Sequence, residues 1–290
     1  MNRKNKIIMV RFLALSVLFS AFSSCAVSQE SIVPSKNYTT QKVKVGSFDG
    51  ISTSSSIDVI YTQASGRPDV EIYAPDNLIE YVKVEVKDGV LKVGFQSKNK
   101  REGVNIKGKH QTEVRVSAPA VHALHASSSG DITLKTALRT NGRVSVESSS
   151  SGDIEGREIV CDELVVKASS SGDTSIGKVE CTLLEVDASS SGDVEIKKLK
   201  TETVDADASS AGDVKLAGEC RTARFSASSS GDVEAKNLKA DNVVASASSA
   251  GDITCYAVES LKASSSSAGN VNYKGNPRIE TRSKGLNRID

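Results

Sequence analysis

A short polar phrase, Ala-Ser-Ser-Ser-Gly-Asp followed by a β-branched residue, recurs with small variations through the second half of the chain and limits its fold more than any other feature. Its glycines are Gly130, Gly152, Gly172, Gly192, Gly212, Gly231, Gly251 and Gly269, at intervals of 22, 20, 20, 20, 19, 20 and 18 residues. A fixed period near twenty is the signature of a repeat architecture. Eight residues before each glycine stands a column reading His122, Val144, Leu164, Leu184, Val204, Ala223, Val243 and Leu261. Six before, it reads Leu124, Val146, Val166, Val186, Ala206, Phe225, Ala245 and Ala263; four before, it is Ala or Ser throughout. Apolar residues two apart define a strand with one buried face, and recurrence every twenty residues stacks equivalent strands. A second inward set follows each Gly-Asp, as in Ile132 and Leu134, Ile154, Ile176, or Val194 and Ile196. The expected fold is all-β: a β-helix-like solenoid with coils of about 20 residues, preceded by a less regular β region. At about 4.8 Å per coil, eight coils make a rod roughly 38 Å long.

The corner has its own logic. The serines two before each glycine are expected to leave no bulk inside the bend, the glycine to supply a backbone angle closed to other residues, and the aspartate to accept nearby backbone N–H groups. The eleven residues before each glycine keep register, so length variation falls after the aspartate. Variable loops on one face are where repeat proteins usually bind.

The N-terminus reads as an export signal. Arg3, Lys4, Lys6 and Arg11 precede an apolar run from Phe12 to Phe22, followed by Ser23-Ser24-Cys25. The run is too short to span a bilayer. Small residues before a cysteine resemble a bacterial lipobox, with Phe22 where that motif prefers an aliphatic residue; the resemblance implies lipidation of Cys25. An ordinary cleaved signal or an uncleaved anchor is the alternative. The boundaries that follow are a signal over 1–24, a tether over 25–41 and a single domain over 42–275, comprising an irregular β part (42–118) and the regular repeats (119–275). Residues 276–290 read as a tail or a cap on the last coil.

The phrases Phe48-Asp49-Gly50-Ile51, Ile57-Asp58-Val59 and Pro75-Asp76-Asn77-Leu78, the hairpin Val86-Lys87-Asp88-Gly89-Val90-Leu91, and Val114 to Pro119 running into the repeats stand in an order similar to the family described as "putative auto-transporter adhesin, head GIN domain". The resemblance covers about Val43 to Lys274. It implies an exported protein of Bacteroidetes type, a solenoid fold and an adhesin-like role without catalysis, located at the cell envelope as an outer-membrane lipoprotein and binding a glycan or a surface protein. The alternatives are a carbohydrate-active enzyme of β-helix type and a purely structural envelope protein.

Several side-chain columns bear on chemistry. Asp131, Asp153, Asp173, Asp193, Asp213, Asp232 and Asp252 form a carboxylate column ending in Asn270. At about 5 Å in water, neighbouring carboxylates repel by roughly 0.8 kcal/mol, so something offsets the charge: hydrogen bonds from corner N–H groups, or a divalent cation such as calcium held between coils. Glu185, Asp187, Asp205 and Asp207 lie outward on adjacent coils and are either a solvated face or the acidic cluster of a polysaccharide-degrading groove. Only His110, His122 and His125 are available as general bases, all upstream of the regular coils, which disfavours nucleophilic catalysis. Cys161 and Cys181 occupy equivalent positions one coil apart, within disulfide reach, and are either small core residues or a bridge. With a formal net charge of +1, the chain lacks the basic surplus of a nucleic-acid binder.

Overall fold

The computed structural model describes residues 31–96, 104–281 and 284–289. The leader and Cys25 lie outside these residues. Among the described residues no helix is long and apolar enough to cross a membrane.

One coil shows why the sequence folds as it does. Along Val194–Ser209 the buried residues are Val194 and Ile196, then Leu199 and Thr201, then Val204, Ala206 and Ala208. The pairs 197–198 and 202–203 interrupt this alternation with two successive non-buried residues, and at each interruption the chain bends. Each coil therefore has three sides. The first (203–209) leads into the Ser-Gly-Asp corner; the second (194–196) and third (199–201) are separated by the bend at 197–198. Each Val, Leu or Ile buried in this way contributes about 1.5–3 kcal/mol.

Equivalent sides pair in parallel and in register. On the first side the stack runs from Val90–Phe95 through Gly50–Thr53, Ala123–Ala126, Arg143–Ser149, Glu163–Ser169 and Leu183–Ser189 into the later coils, ending on Arg278–Thr281. On the second it runs from Glu113–Ala118 through Asp58–Gln63 and Ile132–Leu134, and ends on Asn270–Lys274 and Leu286–Arg288. Register slips fall mostly at the bend between the second and third sides, between Ile196 and Leu199, Lys215 and Ala217, and Ala235 and Lys239; another, between Ala240 and Asn242, falls between the third and first sides, where the expected eleven-residue register breaks. The bend is the variable stretch expected after the aspartate.

The first end of the stack is covered by antiparallel ribbons. Val82–Lys87 pairs antiparallel with Val90–Phe95 through a turn at Asp88 and Gly89, both with positive φ. Tyr38–Val43 pairs with Asp69–Pro75, which pairs with Glu113–Ala118. The stretch read as a tether to residue 41 thus ends inside a strand. Tyr38 to Lys42 are exposed, so backbone pairing holds this edge and no apolar alternation announces it. Likewise the C-terminal segment supplies the last coil, through Arg278–Thr281 and Leu286–Arg288.

Inside the stack, volumes compensate between coils. Phe225 is 1% exposed and is paired in register with Ala206 on one side and Ala245 on the other. The polar exceptions in the inward columns also meet: the buried Ser148 Oγ lies 3.0 Å from Thr174 Oγ1 and donates to the Gly172 carbonyl at 3.1 Å. One column member departs from expectation. His122 is exposed and Val121 takes the interior, because the chain is only entering its first regular coil there.

Candidate functional site: the Ser-Gly-Asp corner and the faces beside it

The corner differs from the sequence reading in three respects. From Gly130 to Gly251 the two residues before the glycine, not the glycine, hold the left-handed angles, and before Gly269 Ser267 does: Ser150 and Ser151 have φ of 51° and 63°, Ser190 and Ser191 of 52° and 65°, Ala250 of 69°. Two successive positive φ values are what a type I′ turn requires. The turn is closed by the glycine N–H donating to the carbonyl three residues back, as from Gly152 to Ser149 at 2.9 Å and from Gly192 to Ser189 at 3.0 Å. The serine pair stands exposed outside the bend; the space inside is kept small by the column four before the glycine, buried Ala168, Ala188 and Ala208 among them.

The glycine answers to a different need. A Cβ at Gly152, Gly212 or Gly231 would lie 2.5 Å from the backbone N of Ser127, Ser189 or Ser209 in the preceding coil. Real Cβ atoms do not approach backbone so closely, so close stacking of one corner on the next excludes any side chain. This explains a ninth corner that the glycine spacing hides. Ser54-Ser55-Ser56-Ile57-Asp58 has the same left-handed pair, Ser55 and Ser56, with Ile57 in the glycine's place. Among the described residues no such corner lies beneath it, and Ile57 fills the room with 0% exposure.

The aspartates form a ladder between coils. Oδ1 of each accepts the backbone N–H of the next: Asp153 N to Asp131 at 2.9 Å, Asp173 N to Asp153 at 2.9 Å, Asp193 N to Asp173 at 2.9 Å, Asp213 N to Asp193 at 2.9 Å, Asp232 N to Asp213 at 3.0 Å, and Asp252 N to Asp232 at 2.8 Å. Asp58 begins the ladder, accepting from Asp131 N at 3.3 Å. Asn270 ends it, donating N and Nδ2 to Asp252 Oδ1 at 2.9 and 3.0 Å. Burial holds the carboxyls of Asp58, Asp131 and Asp213 above the ordinary range; the ladder hydrogen bond opposes that shift and the neighbouring carboxylates add to it. Among the described residues no three His, Cys, Asp or Glu side chains are grouped so as to hold a metal ion.

The outward acidic group on the first side is assembled in register. Glu185 pairs with Asp205 and Asp187 with Asp207 on the next coil. Burial, then the charge of Asp207, raises the Asp205 carboxyl, which Arg224 Nε approaches at 3.9 Å; Arg143 lies 3.7 Å from Glu185. These four residues share one sheet face, with cations of neighbouring coils beside them. The histidines have partners other than serine: His110 contacts Thr112 at 3.0 Å and packs edge-on against Phe95, His122 lies 2.9 Å from Thr140 Oγ1, and His125 is 3.6 Å from Glu147.

Cys161 and Cys181 sit on neighbouring coils as free thiols, as do Cys220 and Cys255. Cys161 Sγ donates to the Glu163 carbonyl at 3.4 Å, and Cys181 Sγ to Thr201 Oγ1 at 3.5 Å. Burial pushes the Cys161, Cys220 and Cys255 thiols up to about 12. With so little thiolate these cysteines exchange slowly. In a Cys25→Ser variant, a colorimetric thiol assay is expected to find almost no reaction in the native protein and four thiols after denaturation; two thiols would mean a bridge.

Fold and surface together define a three-sided parallel β-solenoid with polar columns on its outer faces. The chain belongs to the family described as "Putative auto-transporter adhesin, head GIN domain", whose model matches residues 47–215 and 174–277. The two matches overlap over 174–215, as repeated coils allow. Solved structures share the fold. A protein described as a putative lipid binding protein from Parabacteroides distasonis is 21% identical with a TM-score of 0.61, covering 90% of this chain and 100% of its own. A putative adhesin from Parabacteroides merdae is 21% identical with a TM-score of 0.55, covering 90% and 99%. A putative adhesin from Bacteroides fragilis is 27% identical with a TM-score of 0.50, covering 89% and 97%. The search of curated proteins found no match.

Proposed function

We propose that this chain is a lipid-anchored envelope protein that displays a rigid solenoid for binding a glycan or a surface protein, without catalysing a reaction on it. The observation that carries this reading is membership of an adhesin family over 47–277, joined to a surface of repeated polar columns. Cys25 is the lipidation site on this reading. Acyl chains contribute roughly 0.8 kcal/mol per buried methylene, and two or three together make a stable anchor. An array of glycans and matrix proteins probed with the full chain tests the binding role; a blank array at micromolar protein sinks it. Membrane fractionation tests the anchor: Cys25→Ala is expected to move the protein to the soluble fraction. Incubation with acidic polysaccharides is expected to release no new reducing ends. Release that disappears in Asp205→Asn with Asp207→Asn would replace the binding role by a carbohydrate-active one.

A further inference from the structure

Three cavities follow one another along the second side and its bend. One, of about 220 Å³, is lined by Arg115 and Lys135 together with Asp69 and Glu71; the next, of about 400 Å³, shares Lys135; the third, of about 420 Å³, shares Ser175 with the second and is acidic, with Asp173, Asp193, Glu195, Asp213 and Glu234 against Lys215. They make a trough parallel to the stacking axis. Its middle section is a notch at Gly156 and Gly177, rimmed by Lys135, Arg157 and Lys197. No side chain fills the notch at Gly177, because a Cβ there would lie 2.7 Å from the Arg157 carbonyl oxygen.

The charge of this notch is only partly balanced by the protein: Glu155 lines it beside Lys135, Arg157 and Lys197, which leaves a surplus of two cations. On the third side Arg139 pairs with Glu158 of the next coil at 2.7 Å, and Lys178 pairs with Glu158 of the preceding coil at 3.0 Å and with Glu180 of its own at 2.9 Å. Lys135 and Arg157 have no ion-pair partner among the described residues, and the exposed Lys197 only approaches Glu195 at 3.5 Å. Such an exposed contact contributes little. The notch also lies on the bend where the coils vary in register.

We propose that this notch takes the anionic group, carboxylate or sulfate, of an acidic glycan that crosses the solenoid there, clear of the acidic third cavity; the proposal rests on the glycan-binding reading and names its ligand class. Arginine grips planar oxyanions with two parallel hydrogen bonds, and two flanking ammonium groups supply the remaining charge. The hydroxyls of Thr133 and Ser175 line the same notch, placed for the sugar's own hydroxyls.

Calorimetric titration of the full chain in detergent with oligogalacturonate, dextran sulfate and neutral dextran tests it, and the anionic probe that binds tells carboxylate from sulfate. Binding of an anionic probe is expected to weaken about three- to ten-fold in Arg157→Gln and to disappear in the triple variant Lys135→Gln, Arg157→Gln, Lys197→Gln. Lys236→Gln with Lys239→Gln, farther along the stack, is the control and is expected to bind as the parent does. All these side chains are exposed, and the melting curve of each variant verifies its fold. The proposal is overturned if the triple variant binds as the parent does, or if the control loses as much. Neutral dextran binding equally to parent and triple variant, with the anionic probes inert, would overturn the notch while leaving glycan binding intact. Silence with every glycan would remove both.

Discussion

At the scale of single residues, one corner position shows how context reverses a preference. In a regular coil the residue before the aspartate has backbone beneath it. For Gly192→Ala the new Cβ would meet Ser169 and Ala168 backbone within 2.7 Å, and those atoms move only if the coil moves. A loss of about 1–3 kcal/mol is expected in chemical denaturation. In the first corner Ile57 occupies the same position with 0% exposure, and Ile57→Ala is expected to cost about 2–5 kcal/mol through the cavity it leaves. Equal tolerance of the two substitutions would refute the close-stacking explanation. The aspartate next door carries the pH dependence. Burial raises the Asp213 carboxyl above its ordinary value of 3.8, and the charges of Asp193 and Asp232 raise it further. The folded state therefore holds a proton that the unfolded chain releases more readily. The associated stability is present below the ordinary range and is lost as pH rises through the folded value. Asp58 and Asp131 shift in the same sense, whereas Glu85 and Glu158 are lowered by their lysine partners and lose their contribution as pH falls. The parent profile mixes these opposing trends, and a difference experiment isolates one. Asp213→Asn keeps an oxygen for the Asp232 N–H and removes the charge. Its stability relative to the parent is expected to rise as pH climbs from about 4 through the raised folded value; a flat difference would mean that burial and the neighbouring charges do not strain the carboxyl.

At the scale of the element, the corner is a turn whose two central residues are left-handed although most are serine and some alanine. Ala250 has a φ of 69° and is exposed, so its methyl group makes no compensating contact inside the coil. Left-handed backbone disfavours a Cβ, and Ala250→Gly is expected to raise stability by about 1 kcal/mol despite the greater freedom of glycine in the unfolded chain. A lowered melting temperature would show that the turn holds its shape for another reason. The same element shows what was legible in the sequence. The strand periodicity, the stacking register and the existence of a corner could all be read, because each coil repeats them at fixed distances from a glycine. Which corner residue bears the strained angle could not be read, since glycine is the usual occupant of such angles and here is required by close approach instead. The corner at Ser54–Asp58 lacks the glycine that marks the others, although its three serines, aspartate and following Val59 are signals enough. The edge strand Tyr38–Val43 was hidden because exposed edges need no apolar alternation. The trough was equally hidden: Lys135, Arg157 and Lys197 are 22 and 40 residues apart in sequence, and only the coil geometry brings them to one notch.

At the scale of the whole molecule, the stack is close to one-dimensional, since each coil hydrogen-bonds chiefly to the coils above and below it. Stability in such a molecule is nearly a sum of coil terms and neighbour terms, so a whole coil is removable where a part of one is not. Deleting residues 174–193 joins Asp173 to Val194 and leaves every remaining strand with a partner of matching register. The first-side core residue Val166 then stacks on Ala206, and Asp173 meets the N–H of Asp213 in place of that of Asp193. The shortened protein is expected to keep its β-sheet circular dichroism and a cooperative melt, and to lose about 5 Å in length by small-angle scattering. Deleting residues 174–183 instead removes half a coil and brings second-side chemistry onto the first side. Buried columns then meet outward ones, and loss of the cooperative melt is the expected result. If both deletions behaved alike, stability would depend on contacts reaching beyond neighbouring coils. The antiparallel ribbons at the first end would then be the place to look, because Val82–Lys87 and Tyr38–Val43 are the elements that lie outside the repeat and close one end of its sheets.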